Sequence, residues 1–191
     1  MSTFMDRWLC TRYRDLQQRG PAFDAITQHL ESLGREVTIV ETGCLRQEGN
    51  WAGDGQSTLV WDAFVNYQGG RVYSVDLDVK AAALANSLTS DLTTVEANDS
   101  VAYLLHLATL GLSADLLYLD SYDIDWANPG PSMEHHEREL DAAWPMLHPG
   151  SVVAVDDNLP RTGKGYLVGQ VATRKGWTEL HSGYVRAWIV T

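Results

Sequence analysis

Cysteine is nearly absent from this chain. Cys10 and Cys44 are the only two in 191 residues, so no disulfide framework is expected, and a reducing compartment suits the composition. Basic side chains are also scarce, with 14 Lys and Arg against 25 Asp and Glu, a formal net charge of -11. That balance argues against duplex nucleic acid or an anionic membrane surface as the main partner, because both reward clustered Lys and Arg. No stretch approaches 18 uninterrupted apolar residues, so no membrane-spanning helix is expected. Asp6, Arg7, Arg12 and Arg14 interrupt the N-terminal region, where a signal peptide would need an apolar run, and a cytoplasmic location is the expectation. Internal repeats and low-complexity tracts are lacking too.

What is present is an alternation of strand and helix signals. Residues 1–36 read as a helical extension, with Phe4, Trp8, Leu9 and Leu16 near helical spacing, a break at Gly20-Pro21, and Phe23, Ile26, Leu30 and Leu33 resuming the pattern. From residue 37 to 191 the chain reads as one structural unit. Strands are expected at 37–41, 71–76, 93–97, 115–120 and 151–156, and helices at 57–67, 79–88, 100–109, 133–147 and 165–175. The runs 177–181 and 184–190, joined by Ser182-Gly183, read as an antiparallel hairpin. This pattern predicts a doubly wound, Rossmann-like α/β fold with a mostly parallel sheet. Trp61, Trp144, Trp177 and Trp188 sit at apolar positions and are expected in the core.

Two strands end in acid. Asp115-Leu-Leu-Tyr-Leu-Asp120 and Ser151-Val-Val-Ala-Val-Asp156-Asp157-Asn158 each place carboxylates at the carboxyl end of an apolar run, the edge where open α/β sheets bind ligands. Neighbouring strand tips lie roughly 5 Å apart, so Asp120, Asp156 and Asp157 would repel one another without a positive charge or a shared proton between them. A hard divalent cation such as Mg²⁺ or Mn²⁺ suits such oxygens. The alternative is that each Asp caps the loop or helix that follows.

The first strand ends Glu41-Thr42-Gly43 and leads into a glycine-rich connection containing Gly49, Gly53 and Gly55 before Ser57-Thr58. Glycines allow close backbone approach to a ligand, and Ser57 or Thr58 can open a helix whose N–H groups favour an anion. Asp76, at the second strand tip, can hold a ribose diol or cap a helix; Asp78 reads as the cap. Asn98-Asp99-Ser100 follows the third strand, where a polar side chain could meet an adenine edge or cap the next helix. Pro160-Arg-Thr-Gly-Lys164-Gly165 lacks the spacing of a phosphate loop and reads as a surface loop over the active edge.

Taken together, Glu-x-Gly and Gly-x-Gly-x-Ser-Thr after strand one, Asp76, Asn-Asp-Ser, Asp120 and Pro-Gly…Asp-Asp-Asn resemble the class I S-adenosylmethionine-dependent methyltransferases. The second half is closest to the Mg²⁺-dependent O-methyltransferases of the catechol and macrolide-sugar types. The resemblance covers about residues 37–190 and implies a seven-stranded sheet of order 3-2-1-4-5-7-6. It implies that Glu41 and Gly43 line the methionine end of S-adenosylmethionine, with Gly53, Gly55 and Ser57 in the glycine loop. Asp76 would hold the ribose, Asp99 and Ser100 would lie near the adenine, and Asp120 would be shared between cofactor and catalysis. Asp120, Asp156 and Asp157 would be the metal ligands, with Asn158 as a substitute after a one-residue slip. The first loop departs from the family by the extra residues 45–52, which suggests a lid anchored by Trp51.

A further loop, Ser121 to Pro131, can shape an acceptor pocket through Tyr122, Asp123, Asp125 and Trp126. In the helix after it, His135 or His136 is a candidate general base, and His135 with Glu139 has the i, i+4 spacing of helix-borne metal ligands. Solvated histidines at a helix start are the alternative. The expected activity is methyl transfer to a hydroxyl of a small-molecule sugar or phenol. A metal-dependent hydroxylase-like enzyme of the same fold, or a non-catalytic cofactor-binding module, are the competing readings. The two N-terminal helices look like an apolar addition that could form a homodimer surface.

Overall fold

The computed structural model describes residues 2–53 and 56–191. Strand β1 (Val37–Thr42) lies centrally, flanked in parallel by β2 (Gly70–Asp76) and β4 (Leu116–Leu119). Outside these run β3 (Thr93–Ala97) and β5 (Val152–Val155), and β9 (Arg186–Ile189) pairs antiparallel with β5 and with β8 (Thr178–His181). The order is β3-β2-β1-β4-β5-β9-β8, which is the expected order once a separate two-stranded ribbon is counted apart. That ribbon, β6 (Asn158–Leu159) with β7 (Thr162–Gly163), has no counterpart in the sequence reading.

Period-two alternation assigns each strand residue to one face. Ile39, Leu116, Tyr118, Val152 and Ala154 point to one side, where α2 (Gly20–Ser32) and α3 (Ser57–Gln68) contribute Phe23, Ile26, Leu30, Val60, Trp61 and Phe64. Val40, Leu117, Leu119, Val153 and Val155 point to the other. There α5 (Ser100–Thr109), α6 (Gly130–Ala143) and α7 (Tyr166–Lys175) supply Tyr103, Leu104, Leu140 and Val168. Every residue of β4 and β5 is buried, as expected of central strands covered on both faces. Helix α4 (Val79–Leu88) packs small residues Ala81, Ala82 and Ala85 against Cys44 and Leu45, burying the start of the loop after β1.

The N-terminal residues belong to this core. Phe4, in the short helix α1 (Phe4–Arg7), and Leu9, Leu16 and Phe23 are fully or almost fully buried in the same cluster as the sheet, so their apolar surface is covered within the chain. Gly20-Pro21 opens α2 instead of breaking it, because proline suits the first helical turn, where its missing N–H has no partner to lose. The Phe23 ring contacts Trp61 and Tyr118 at centroid distances of 5.0 and 5.8 Å. Among the tryptophans, Trp144 departs from its expected core position. It is 37% exposed and stacked on Trp177, with Lys175 Nζ 4.9 Å from its ring centroid.

Candidate functional site

Parallel β1, β2, β4 and β5 deliver their carboxyl ends to one edge. There the turn at Gly43 is forced: φ is +80°, and a Cβ would lie 2.4 Å from the Asp120 carbonyl oxygen. Only glycine lets the β1 and β4 tips approach so closely. Two residues earlier, Glu41 is fully buried; its Oε2 accepts hydrogen bonds from Thr58 (2.7 Å) and Ser74 (2.6 Å), while Oε1 has no partner. Burial pushes its carboxyl up to about 7, against the nearby hydroxyls of Ser57, Ser74 and Thr58.

Asp76 accepts from the Cys44 N–H (3.2 Å) and the Asp78 N–H (2.8 Å), which aims its carboxylate along the β2 tip. The capping duty falls to Asp78, whose Oδ1 accepts from Lys80 N–H at the start of α4. Leu77, between them, is 75% exposed. Asp99 caps α5 through Ala102 N–H, and Ser100 Oγ bonds His135 Nε2 at 3.0 Å. Gly53 lies beside the acidic cluster, Ser57 starts α3, and Gly55 falls outside the described residues.

Asp120, Asp156 and Asp157 do converge, and two cationic side chains, Lys164 and Arg19, offset most of their charge. Lys164 is only 1% exposed, and its Nζ lies 2.5 Å from Asp120 Oδ1 and 2.9 Å from Asp157 Oδ2. Arg19 approaches from the N-terminal segment, its Nε 2.6 Å from Asp156 Oδ2 and its Nη2 3.5 Å from Asp157 Oδ1. Its guanidinium lies over the Tyr184 ring, and the Tyr184 and Tyr118 hydroxyls donate to Asp157 and Asp156 respectively. Burial raises the Asp120 carboxyl, Lys164 draws it back down, and the facing Asp156 and Asp157 raise it again, leaving it pushed up to about 8. Asp157 is held below the usual carboxylate range, chiefly by Lys164 against the opposing effect of burial.

The ribbon β6–β7 explains why Lys164 turns inward. Asp157 and Arg161 have positive φ, and Gly163, at φ +116°, would place a Cβ 2.5 Å from the Asp157 carbonyl oxygen. Asn158 staples the ribbon: its Nδ2 donates to the Val155, Asp156 and Tyr184 carbonyls, and its Oδ1 accepts from Gly165 N–H. Committed to backbone, its amide does not face the carboxylates as a substitute ligand would. The segment 160–165 is exposed at Pro160 and Arg161, as a surface loop would be, and turns inward at Gly163–Gly165, where Lys164 lines the site.

A divalent ion bound by Asp120, Asp156 and Asp157 was expected; the donor set in this arrangement does not fit one. An octahedral Mg²⁺ needs carboxylate oxygens within about 2.1 Å and excludes ammonium groups from its shell. Here Lys164 Nζ and Arg19 Nε occupy the space between the oxygens. Among the described residues no group of three or more His, Cys, Asp and Glu side chains is arranged to hold a metal.

The two histidines stand apart from this cluster. His136 is fully buried, with Nδ1 bonded to the Ser132 carbonyl, and burial lowers its imidazole to about 4. His135 is shared by Ser100, Glu139 (3.3 Å) and the face of Tyr122. Glu139 also accepts from Ser121 Oγ, so this polar group ties the β3 and β4 tips to α6. Neither imidazole lines the open depression of about 290 Å³ bounded by Arg19, Arg46, Gly53, Asp120, Asp123 and Lys164. Across that depression Arg46 and Asp123 form a bidentate pair at 3.1 Å, joining the loop after β1 to the loop after β4.

The sequence profile of a family described as a methyltransferase domain matches residues 52–158, more than half of the chain. The chain belongs to this methyltransferase-domain family. No curated protein matches it. Among solved structures, it is similar to the MycE methyltransferase of the mycinamycin biosynthetic pathway in complex with Mg, SAH and mycinamycin VI, with 16% identity and a TM-score of 0.65. That likeness covers 95% of this chain and 53% of the other, so this chain spans about half the length of MycE. It is also similar to the apo structure of CalS11, a TDP-rhamnose 3'-O-methyltransferase of calicheamicin biosynthesis, with 16% identity, TM-score 0.62, and 97% and 85% coverage. A third likeness is to an S-adenosylmethionine-dependent methyltransferase from Agrobacterium tumefaciens, with 15% identity, TM-score 0.61, and 91% and 62% coverage. At these identities the likeness supports the fold of the methyltransferase domain.

Proposed function

We propose that this methyltransferase-domain chain transfers a methyl group from S-adenosylmethionine to a hydroxyl of a small-molecule acceptor, a sugar or a phenol. The observation that carries the reading is the adjacency of two half-sites at one sheet edge. A cofactor shelf made by Glu41, Gly43, Asp76 and Leu77 meets a polar depression built on Asp120. The shelf fits the cofactor: Glu41 Oε1 is buried without a partner, and Leu77 offers an uncovered apolar surface.

When bound, the cofactor supplies a methyl group already activated on a sulfonium, so catalysis consists mainly of placing the acceptor oxygen in line. Asp76 accepts hydrogen bonds from vicinal ribose hydroxyls, and Leu77 shields one face of the base from water. Asp120, lining the depression, accepts the hydrogen of the acceptor hydroxyl and takes up its proton at a carboxylate oxygen as the oxygen is methylated. The neighbouring sugar O-methyltransferase folds support an oxygen acceptor. The test is incubation of the purified chain with methyl-labelled S-adenosylmethionine and a panel of glycosides and phenols. Label transferred to an oxygen supports the reading; S-adenosylhomocysteine failing to bind in calorimetry would overturn it.

A further inference from the structure

Three carboxylates gathered at two strand tips need a positive charge, and this chain brings its own. Lys164 reaches the cluster because the β6–β7 ribbon folds residues 158–163 back over the β5 tip, burying its whole stem and setting Nζ between Asp120 and Asp157. Arg19 reaches it from the opposite side, held against Tyr184 and bonded to the Ala52 carbonyl. Even with all three carboxylates ionised, three negative charges face two positive ones, which removes most of the electrostatic demand for a dication. Both cations are largely buried and bonded to carboxylate oxygens at short range, where such contacts are strongest. They also differ from free ions in having fixed attachment points, so the oxygens cannot close to the spacing of an octahedral shell without expelling Lys164.

We infer that Lys164, assisted by Arg19, replaces the divalent cation at this acceptor site, so that the site operates without a bound metal. This rests on reading the strand tips as a methyl-transfer site. Lys164 Nζ serves Asp120 and Asp157, and an ammonium group carries a third N–H to offer an acceptor oxygen in the depression that all three residues line. Lys164 thereby takes over the orienting task of a Lewis acid, while Arg19 keeps Asp156 and Asp157 from closing on the space.

The test uses Mn²⁺ itself as the probe, with electron paramagnetic resonance to count bound ions and thermal melts in Mg²⁺ or EDTA. The wild-type chain, with or without S-adenosylhomocysteine, is expected to bind no stoichiometric Mn²⁺ and to melt at the same temperature in Mg²⁺ and EDTA. One Mn²⁺ bound per wild-type chain would overturn the inference, and that measurement needs no variant. Lys164→Ala is expected to bind one Mn²⁺ and to gain several degrees from Mg²⁺, because the freed oxygens then present an open cation site. A folded Lys164→Ala chain that still ignores both ions would also overturn it, since the lysine would then be replacing nothing. Lys164→Arg, retaining the charge, is expected to behave as wild type towards both ions; an Mn²⁺-binding Lys164→Arg chain counts against the inference. Stabilisation by S-adenosylhomocysteine is read in parallel. Its absence alone would sink the proposed function and leave the ion result standing as a separate finding.

Discussion

Glu41 keeps a carboxyl group inside the core at the end of β1, with two hydroxyls on one oxygen and none on the other. Its folded-state value near 7 exceeds the ordinary 4.5, so between those values the folded chain holds a proton that the unfolded chain has released. The stability this group contributes is full below about pH 4.5 and is lost as pH rises through about 7. Melting temperatures of wild type and Glu41→Gln, measured from pH 5 to pH 8, should diverge in favour of the variant as pH rises. A constant difference would show that the carboxyl is already ionised in the fold. Asp76 is the complementary case, half-exposed and pre-aimed by two backbone N–H groups. Asp76→Ala should weaken S-adenosylhomocysteine binding by about 1–3 kcal/mol, the cost of losing hydrogen bonds to a charged acceptor. Calorimetry on the folded variant checks it, and unchanged affinity would remove Asp76 from the ribose.

At the scale of elements, the loop after β1 divides into an anchored start and an open crest. Cys44 and Leu45 are buried against α4, and Trp51 is held by Trp8 and Arg12. Residues 46–50 between these anchors, tied across the depression by the exposed Arg46–Asp123 pair, should gain amide-exchange protection when S-adenosylhomocysteine binds. Equal protection with and without ligand would rule out a lid. Phe23→Ala should cost about 3–5 kcal/mol through the cavity left beside Trp61 and Tyr118. Urea titration measures that loss directly. Elements bounded by local chemistry were legible in the sequence: β3, α4 and α5 match the expected 93–97, 79–88 and 100–109, the two helices opened by the caps Asp78 and Asp99. The ribbon was not legible, because two-residue strands carry no period and its shape is set in part by Asn158 bonding the distant Tyr184 carbonyl. Trp144 was misplaced because it follows the last turn of α6, where the apolar stripe runs out.

Over the whole molecule, the two faces of one sheet share every central strand, and the N-terminal residues pack into the same cluster as α3 and Tyr118. Residues 1–36 and 37–191 should therefore unfold together. Tryptophan fluorescence and far-ultraviolet circular dichroism should report a single coincident urea transition. Two separated transitions would show the extension to be an independent unit. The acidic edge was readable as a set of strand tips, since apolar runs ending in Asp need only local pattern. Its counterions were not. Arg19 sits in a polar stretch and Lys164 between glycines, contexts that look solvent-facing until tertiary structure folds each onto a carboxylate 137 or 44 positions away.

That separation has a consequence in time. Arg19 is made early and its partner Asp156 late, so a growing chain emerges with its guanidinium waiting for most of the sheet to exist. Closing so long a loop comes late and slowly, after local helices have formed. The acidic edge is consequently among the last features to mature. A proteolytic nick or bulky attachment within the first twenty residues, remote from that edge in sequence, would disturb it by withdrawing Arg19, one of the two cations that face its carboxylates.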